Sequence, residues 1–154
     1  MREKTCCFTG HRVIPQADYR IIKKRLENEV EKLIHQGVVY FGTGGALGFD
    51  TLAAETVIEL RKKYPYIKLI LVLPCENQTK NWKREDIIKY EQIKGCADKV
   101  KVLSGDYYNG CMQVRNRHLV DCSAFCICYL RKSTGGTAYT VNYAVENGLT
   151  IIRI

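Results

Sequence analysis

Two glycine turns and two short basic clusters are the parts of this sequence best suited to chemistry. The turns are Gly42-Thr43-Gly44-Gly45-Ala46-Leu47-Gly48-Phe49-Asp50 and Ser133-Thr134-Gly135-Gly136-Thr137; the clusters are Gly10-His11-Arg12 and Arg115-Asn116-Arg117. Each turn follows an apolar run and opens a helical pattern. Glycine lets backbone approach a ligand without Cβ collisions, and a helix starting there points unpaired N–H groups and its positive dipole end at the ligand. Phosphate is the expected guest, held by backbone amides at Gly44-Gly45 and Gly135-Gly136-Thr137. His11, Arg12 and Arg115 would add charge, and Asn116, near the start of its helix, would reach the same cleft. Arg117 and Asp121 have i,i+4 spacing, which predicts a surface ion pair.

Further side chains would complete a nucleotide site. Asp50 or Glu76 would accept hydrogen bonds from ribose hydroxyls, and Trp82, the only tryptophan, would stack on a base or else anchor the helix that follows it. The first turn is not a dinucleotide fingerprint, because Leu47 stands where the third glycine belongs and Gly48 comes one place late. Nor is it a P-loop, since no Gly-Lys-Ser/Thr follows. Asp50, Glu76 and His11 are the candidates for acid–base work. No Ser-His-Asp order, nucleophile elbow or metal-bound water motif accompanies them, so catalytic residues stay unassigned.

The elements that must position these residues read as alternating strands and helices. Strand-like runs occupy residues 5–9, 38–41, 67–73, 99–103, 124–130 and 150–154. Between the first two, Tyr19, Ile22, Leu26, Val30 and Leu33 recur at helical spacing, with Gly37 as a stop. Continuous apolar strands suit a sheet covered on both faces. Right-handed crossovers then give a Rossmann-like α/β three-layer sandwich with a mostly parallel sheet. Both glycine turns would lie at its carboxyl edge, where one cleft can use both. The loop at residues 75–82, after Pro74, falls at the same edge and is a candidate lid.

At 154 residues and 46% hydrophobic, the chain fits one nucleotide-binding domain over residues 1–154. No apolar leader opens it and no run approaches the roughly 18 residues of a membrane span, which predicts a cytoplasmic protein without a membrane partner. Several of the eight cysteines (Cys6, Cys7, Cys126, Cys128) sit inside strand runs, where cysteine serves as a small buried hydrophobe. No metal is expected, because the cysteines and histidines lack ligand spacing. A net charge of +8 with scattered basic residues favours an anionic partner without choosing its size; a phosphorylated small molecule is the expected partner and nucleic acid the less favoured one. Self-association stays open.

The motifs in chain order resemble the YpsA-like group of the SLOG superfamily over nearly the whole length. The matching pieces are Cys7-Phe8-Thr9-Gly10-His11-Arg12, residues 44–50, Leu73-Pro74 with Gln78 and Trp82, Arg115-Asn116-Arg117, and Gly135-Gly136-Thr137-Ala138. Residues 44–50 and 115–117 are also similar to segments of the DNA-processing protein A family, whose members bind single-stranded DNA. The second turn is similar to the Pro-Gly-Gly-x-Gly-Thr-x-x-Glu segment of the Lonely-guy phosphoribohydrolases. Here Thr134, Ala138, Tyr139 and Asn142 replace its proline, third glycine, threonine and glutamate. The resemblance thus implies a Rossmann-like fold and a nucleotide or ADP-ribose-like ligand, read by a sensor or regulatory module. A phosphoribohydrolase-type enzyme, with Glu76 or Asp50 in place of the missing glutamate, and a single-stranded DNA binder are the alternatives.

Overall fold

In the computed structural model, which describes residues 1–154 throughout, the strand-like runs form a single sheet. A 3-10 turn at Arg2–Lys4 precedes β1 (Thr5–Gly10), α1 (Gln16–His35), β2 (Tyr40–Thr43), α2 (Phe49–Arg61), β3 (Lys68–Leu73) and α3 (Arg84–Cys96). Then come β4 (Lys99–Val102), α4 (Cys111–Asp121), β5 (Phe125–Tyr129), α5 (Gly136–Glu146) and β6 (Thr150–Arg153). The strand order is β4-β3-β2-β1-β5-β6 and every pairing is parallel, so the expected Rossmann-like sandwich is present with no antiparallel strand.

Alternation along the strands sorts side chains to two faces. Leu69, Leu71 and Leu73 of β3 face a core of 23 buried residues shared with α1, α2 and α3, in which Ile22, Leu26, Val30 and Leu33 form the buried stripe of α1. On the opposite face Cys7, Val72, Cys126 and Cys128 join Leu119 and Val120 of α4 and Val141 and Ala144 of α5 in a core of nine. These cysteines act as small apolar residues. Burial pushes the Cys128 thiol up, and the Cys126 thiol is pushed well up by its Cys7 neighbour and by burial. No helix is long and apolar enough to cross a membrane.

Strand limits depart from the apolar runs where backbone groups have other partners. β2 begins at Tyr40 rather than at residue 38, because the Val38 N–H closes the end of α1 on the Leu33 carbonyl at 3.0 Å after Gly37.

The topology makes the crevice. From β1 the chain winds outward through β2, β3 and β4, then returns to β5 on the other side of β1. The loops after β1 and β5 therefore part in opposite directions and leave a gap at the carboxyl edge. Behind Gly10, which ends β1, the core is aromatic, with Phe49 stacked on Tyr129 at 5.9 Å and edge-on to Phe8 at 6.4 Å. Gly10 lies directly against Phe49, so a Cβ there would overlap the ring. Gly10→Ala should therefore lower the urea midpoint by an amount equivalent to about 1–3 kcal/mol. Gly95→Ala, where a Cβ would meet nothing within 4 Å on α3, should instead raise it by up to about 1 kcal/mol.

Candidate functional site

The gap between β1 and β5 is a cleft of about 300 Å³. Its walls come from four segments: residues 9–12 after β1, Ala46 and Asp50 at the start of α2, Met112, Arg115 and Asn116 on the first turns of α4, and Lys132 with residues 134–137 before and into α5. Elements far apart in sequence thus bring together Gly10, His11, Arg12, Asp50, Arg115, Asn116, Gly135, Gly136 and Thr137. Gly44, Gly45, Glu76 and Trp82 do not line the cleft.

The second glycine turn opens directly onto it. Gly135, at φ 99° and ψ −175°, precedes α5 without a side-chain cap, and the N–H groups of Gly136, Thr137 and Ala138 have no acceptor in the protein. Three unpaired donors and a positive dipole end therefore meet at one wall. Arg12 is exposed at the rim with its guanidinium free of hydrogen bonds, and Lys132 adds a second cation. Lys132 was missed from sequence because it stands among many scattered lysines. Asp50 is the only carboxylate on the lining.

The first glycine turn is used differently from expectation. Gly45 has φ +71°, and a Cβ there would lie 2.8 Å from Leu73 and 3.3 Å from Tyr90, so that glycine is required by backbone conformation and packing. At the start of α2, the Phe49 N–H is already taken by the His11 carbonyl at 3.1 Å, and the Ala46 N–H donates to Asp50 Oδ2 at 3.1 Å. These two donors of the turn serve the fold. Its contribution to the cleft is Ala46 and Asp50.

Arg115 is 3% exposed and lies against Gly44, donating to the Gly44 carbonyl through Nη1. The same nitrogen reaches Gln78 Oε1 at 3.4 Å, and Nε donates to Asn116 Oδ1 at 2.7 Å. Gln78, buried in the loop after β3, also donates to the Gly44 carbonyl at 3.4 Å. It was not expected at the site from its residue type alone; only its place among the family-like pieces marked it. Asp50 is 7% exposed. Burial holds its carboxyl above the usual carboxylate range, against the opposing pull of Arg115, the Ala46 N–H, Thr43 and Arg12.

His11 is not the cation expected. Its Nε2 accepts the Arg131 N–H at 2.7 Å, which requires a neutral ring with the proton on Nδ1, and its edge meets Tyr129 at 5.5 Å. Burial, and then Lys132 and Arg131, lower its pKa. Arg131 itself lies over the Tyr129 ring at 4.6 Å and donates to the Ile154 carbonyl at 2.9 Å.

The remaining candidates lie elsewhere. Trp82 packs edge-on against Tyr90 of α3 at 5.5 Å, the anchoring role. Glu76 is exposed, and its N–H donates to the Ser104 and Gly105 carbonyls at 3.1 and 3.2 Å; this ties the 75–82 loop to the segment after β4 instead of over the cleft. Arg117 makes no ion pair with Asp121. It donates to the Tyr139 hydroxyl at 2.8 Å, while Asp121 accepts from Tyr143 at 2.8 Å, because α5 packs beside α4 and offers each a closer partner.

Two outcomes follow from this chemistry. Arg115→Met should lower stability by about 2–4 kcal/mol in urea unfolding, since it leaves the Gly44 carbonyl without its main donor and Asp50 without its nearest buried cation. A His11 pKa lowered by folding means that the unfolded chain takes up this proton first as pH falls. The stability His11 supports is therefore complete above its unfolded value of about 6.5 and declines as pH drops from there towards the folded value. His11→Gln, which keeps an acceptor and does not titrate, should show a shallower decline than the parent in urea midpoints between about pH 7.5 and 5.5.

Comparison with known proteins gives the following likenesses. The model of the YspA SLOG family matches residues 9–150. A UPF0398 protein of Brevibacillus brevis is 36% identical over 94 residues, covering 61% of this chain and 50% of that protein. The SPbeta prophage-derived protein YoqJ of Bacillus subtilis is 33% identical over 141 residues, 83% of this chain and 82% of its own length. The chain spans about half the length of the first curated relatives it matches. Among solved structures, DNA processing protein A from Helicobacter pylori, described for its single-stranded DNA binding mode, aligns with a TM-score of 0.67 at 19% identity. That alignment covers 97% of this chain and 64% of the other. The Streptococcus pneumoniae protein of the same name aligns with a TM-score of 0.68 at 17% identity, over 98% of this chain and 50% of its own. At such identities the likeness is one of fold.

Proposed function

We propose that this chain, which belongs to the YspA SLOG family, binds a nucleotide or a nucleotide-derived phosphorylated molecule in the β1/β5 cleft and serves as a sensor or regulatory module. The observation that carries this reading is the set of three unpaired N–H groups at the start of α5, in a cleft whose lining also carries Arg12 and Lys132. Backbone donors at a helix N-terminus favour an anion wherever they face open space. A cleft of about 300 Å³ suits a sugar phosphate and lies at the small end of ligand pockets, roughly 300–1,000 Å³.

The reading stops at binding. Asn142, at the position of the phosphoribohydrolase glutamate, is exposed on α5 and outside the cleft lining. Asp50 is the one carboxylate left for acid–base work there. Single-stranded DNA is a second reading, favoured by the net charge of +8, and it calls for an affinity that falls steeply with salt as several counterions are released.

Gly136 supplies the test. A Cβ there would meet nothing within 4 Å and its φ lies outside the left-handed region, so the fold does not demand glycine. Gly136→Ala and Gly136→Asp should both melt close to the parent, an acidic residue at that dipole end being favourable by about 0.3–1 kcal/mol. Gly136→Asp should weaken binding of inorganic phosphate and of ribonucleoside 5′-monophosphates at least about tenfold by titration calorimetry, through repulsion in a partly desolvated cleft. A Gly136→Asp protein with parental affinity, or a parent bound by neither phosphate nor any nucleotide, would overturn the reading.

A further inference from the structure

We infer that the cleft selects a ribose over a 2′-deoxyribose, holding the vicinal hydroxyls of a 5′-phosphorylated ribose between Asp50 on one side and Arg115 with Asn116 on the other. This rests on the reading of the cleft as a phosphate site and specifies which sugar that phosphate carries.

The protein leaves several donors and acceptors on the cleft lining only partly matched. Arg115 is 3% exposed, yet its Nη2 faces only the Met112 thioether, at 3.5 Å. Sulfur is a weak acceptor, so two N–H groups of a buried cation lack an oxygen partner. Asn116 accepts Arg115 Nε through Oδ1 at 2.7 Å, which leaves its amide nitrogen as a donor with no partner in the protein. Across the cleft Asp50 is 7% exposed. Its Oδ2 takes the Ala46 N–H at 3.1 Å and the Thr43 hydroxyl supports the same carboxyl, but no N–H reaches its other oxygen.

Asp50 and Arg115 carry opposite charges and line the same cavity, but no direct ion pair joins them. Buried polar groups of this kind are satisfied by something. The something must accept from a guanidinium and an amide while donating to a carboxylate. A phosphate dianion fails that requirement, because it has no proton to offer Asp50 and would be repelled by it. A hydroxyl meets it, being donor and acceptor at once, and two adjacent hydroxyls serve both donors and the carboxylate together.

The ligand is thereby oriented. Its phosphate lies at the α5 end with Lys132, away from the carboxylate, and its hydroxyls lie over Asp50, Arg115 and Asn116, where the charge of Arg12 also bears. Removing the 2′-hydroxyl leaves part of this buried set unmatched, and sites built around a hydroxyl discriminate strongly against analogues that lack it.

The experiment is a calorimetric titration of the unmodified protein with inorganic phosphate, the four ribonucleoside 5′-monophosphates and their four 2′-deoxy counterparts. The best ribonucleotide should bind at least about tenfold more tightly than its deoxy partner. Asp50→Asn, an isosteric change that removes a buried charge, and Asn116→Ala, at a half-buried position, should each bring that ratio close to one. Phosphate and nucleotides bound with equal affinity for both sugars would sink the sugar assignment while leaving the phosphate site standing. Failure of phosphate and every nucleotide to bind would remove the phosphate site and this inference with it. A clear ribose preference that persists unchanged in both variants would also overturn the assignment, since the discrimination would then arise elsewhere.

Discussion

The Arg115 guanidinium under the Gly44 carbonyl is the contact on which the carboxyl edge depends. It joins α4, on one face of the sheet, to the turn that launches α2 on the other, and it does so where strands end and no ladder hydrogen bonds remain. Burying a cation costs several kcal/mol unless its donors are matched. Here the Gly44 carbonyl, Gln78 and Asn116 each take a share. The demand runs both ways: a side chain at Gly44 would collide with the guanidinium, so the glycine and the arginine fit only each other.

Around that contact, polar groups divide into those committed to the fold and those left over. The Phe49 and Ala46 amides, His11 Nε2 and Arg115 Nη1 are committed to intramolecular partners. The α5 amides, the Arg12 guanidinium, Arg115 Nη2 and the Asn116 amide are not, and the residues that carry most of them line one cavity. Residue type does not predict this division. His11 and Arg12 are neighbours in sequence, yet one fastens the β5–α5 loop and the other stands free at the rim.

The fold was legible for a related reason. Alternating apolar runs and helical stripes respond to burial alone, and burial is what the sheet and helices satisfy, so six strands could be read to within about two residues and the α1 stripe at every position but Tyr19, which is 41% exposed. Both glycine turns were legible as strand-to-helix junctions at one edge. Which of them opens to ligand was not. Glycine meets two different needs, room for a neighbour at Gly44 and Gly45 and an open amide at Gly136, and the letter is the same. Arg117 shows the same limit, since i,i+4 spacing offered Asp121 while a hydroxyl from the adjacent helix lay closer. Partners across elements depend on packing that no local pattern encodes.

The two cores are unequal, 23 buried residues beneath α1 to α3 against nine beneath α4 and α5. Local opening draws on the thinner packing first, because the free energy of separating a layer scales with the apolar area it covers. Amide protons in α4 and α5 should therefore exchange with solvent sooner than those of α1 and α2. Two of the four cleft segments ride on that thinner layer, so the molecule places much of its cleft on its least cooperative part. Occupancy of the cleft would be reported as a slowing of breathing across a whole layer, a signal that spreads well beyond the contacted residues.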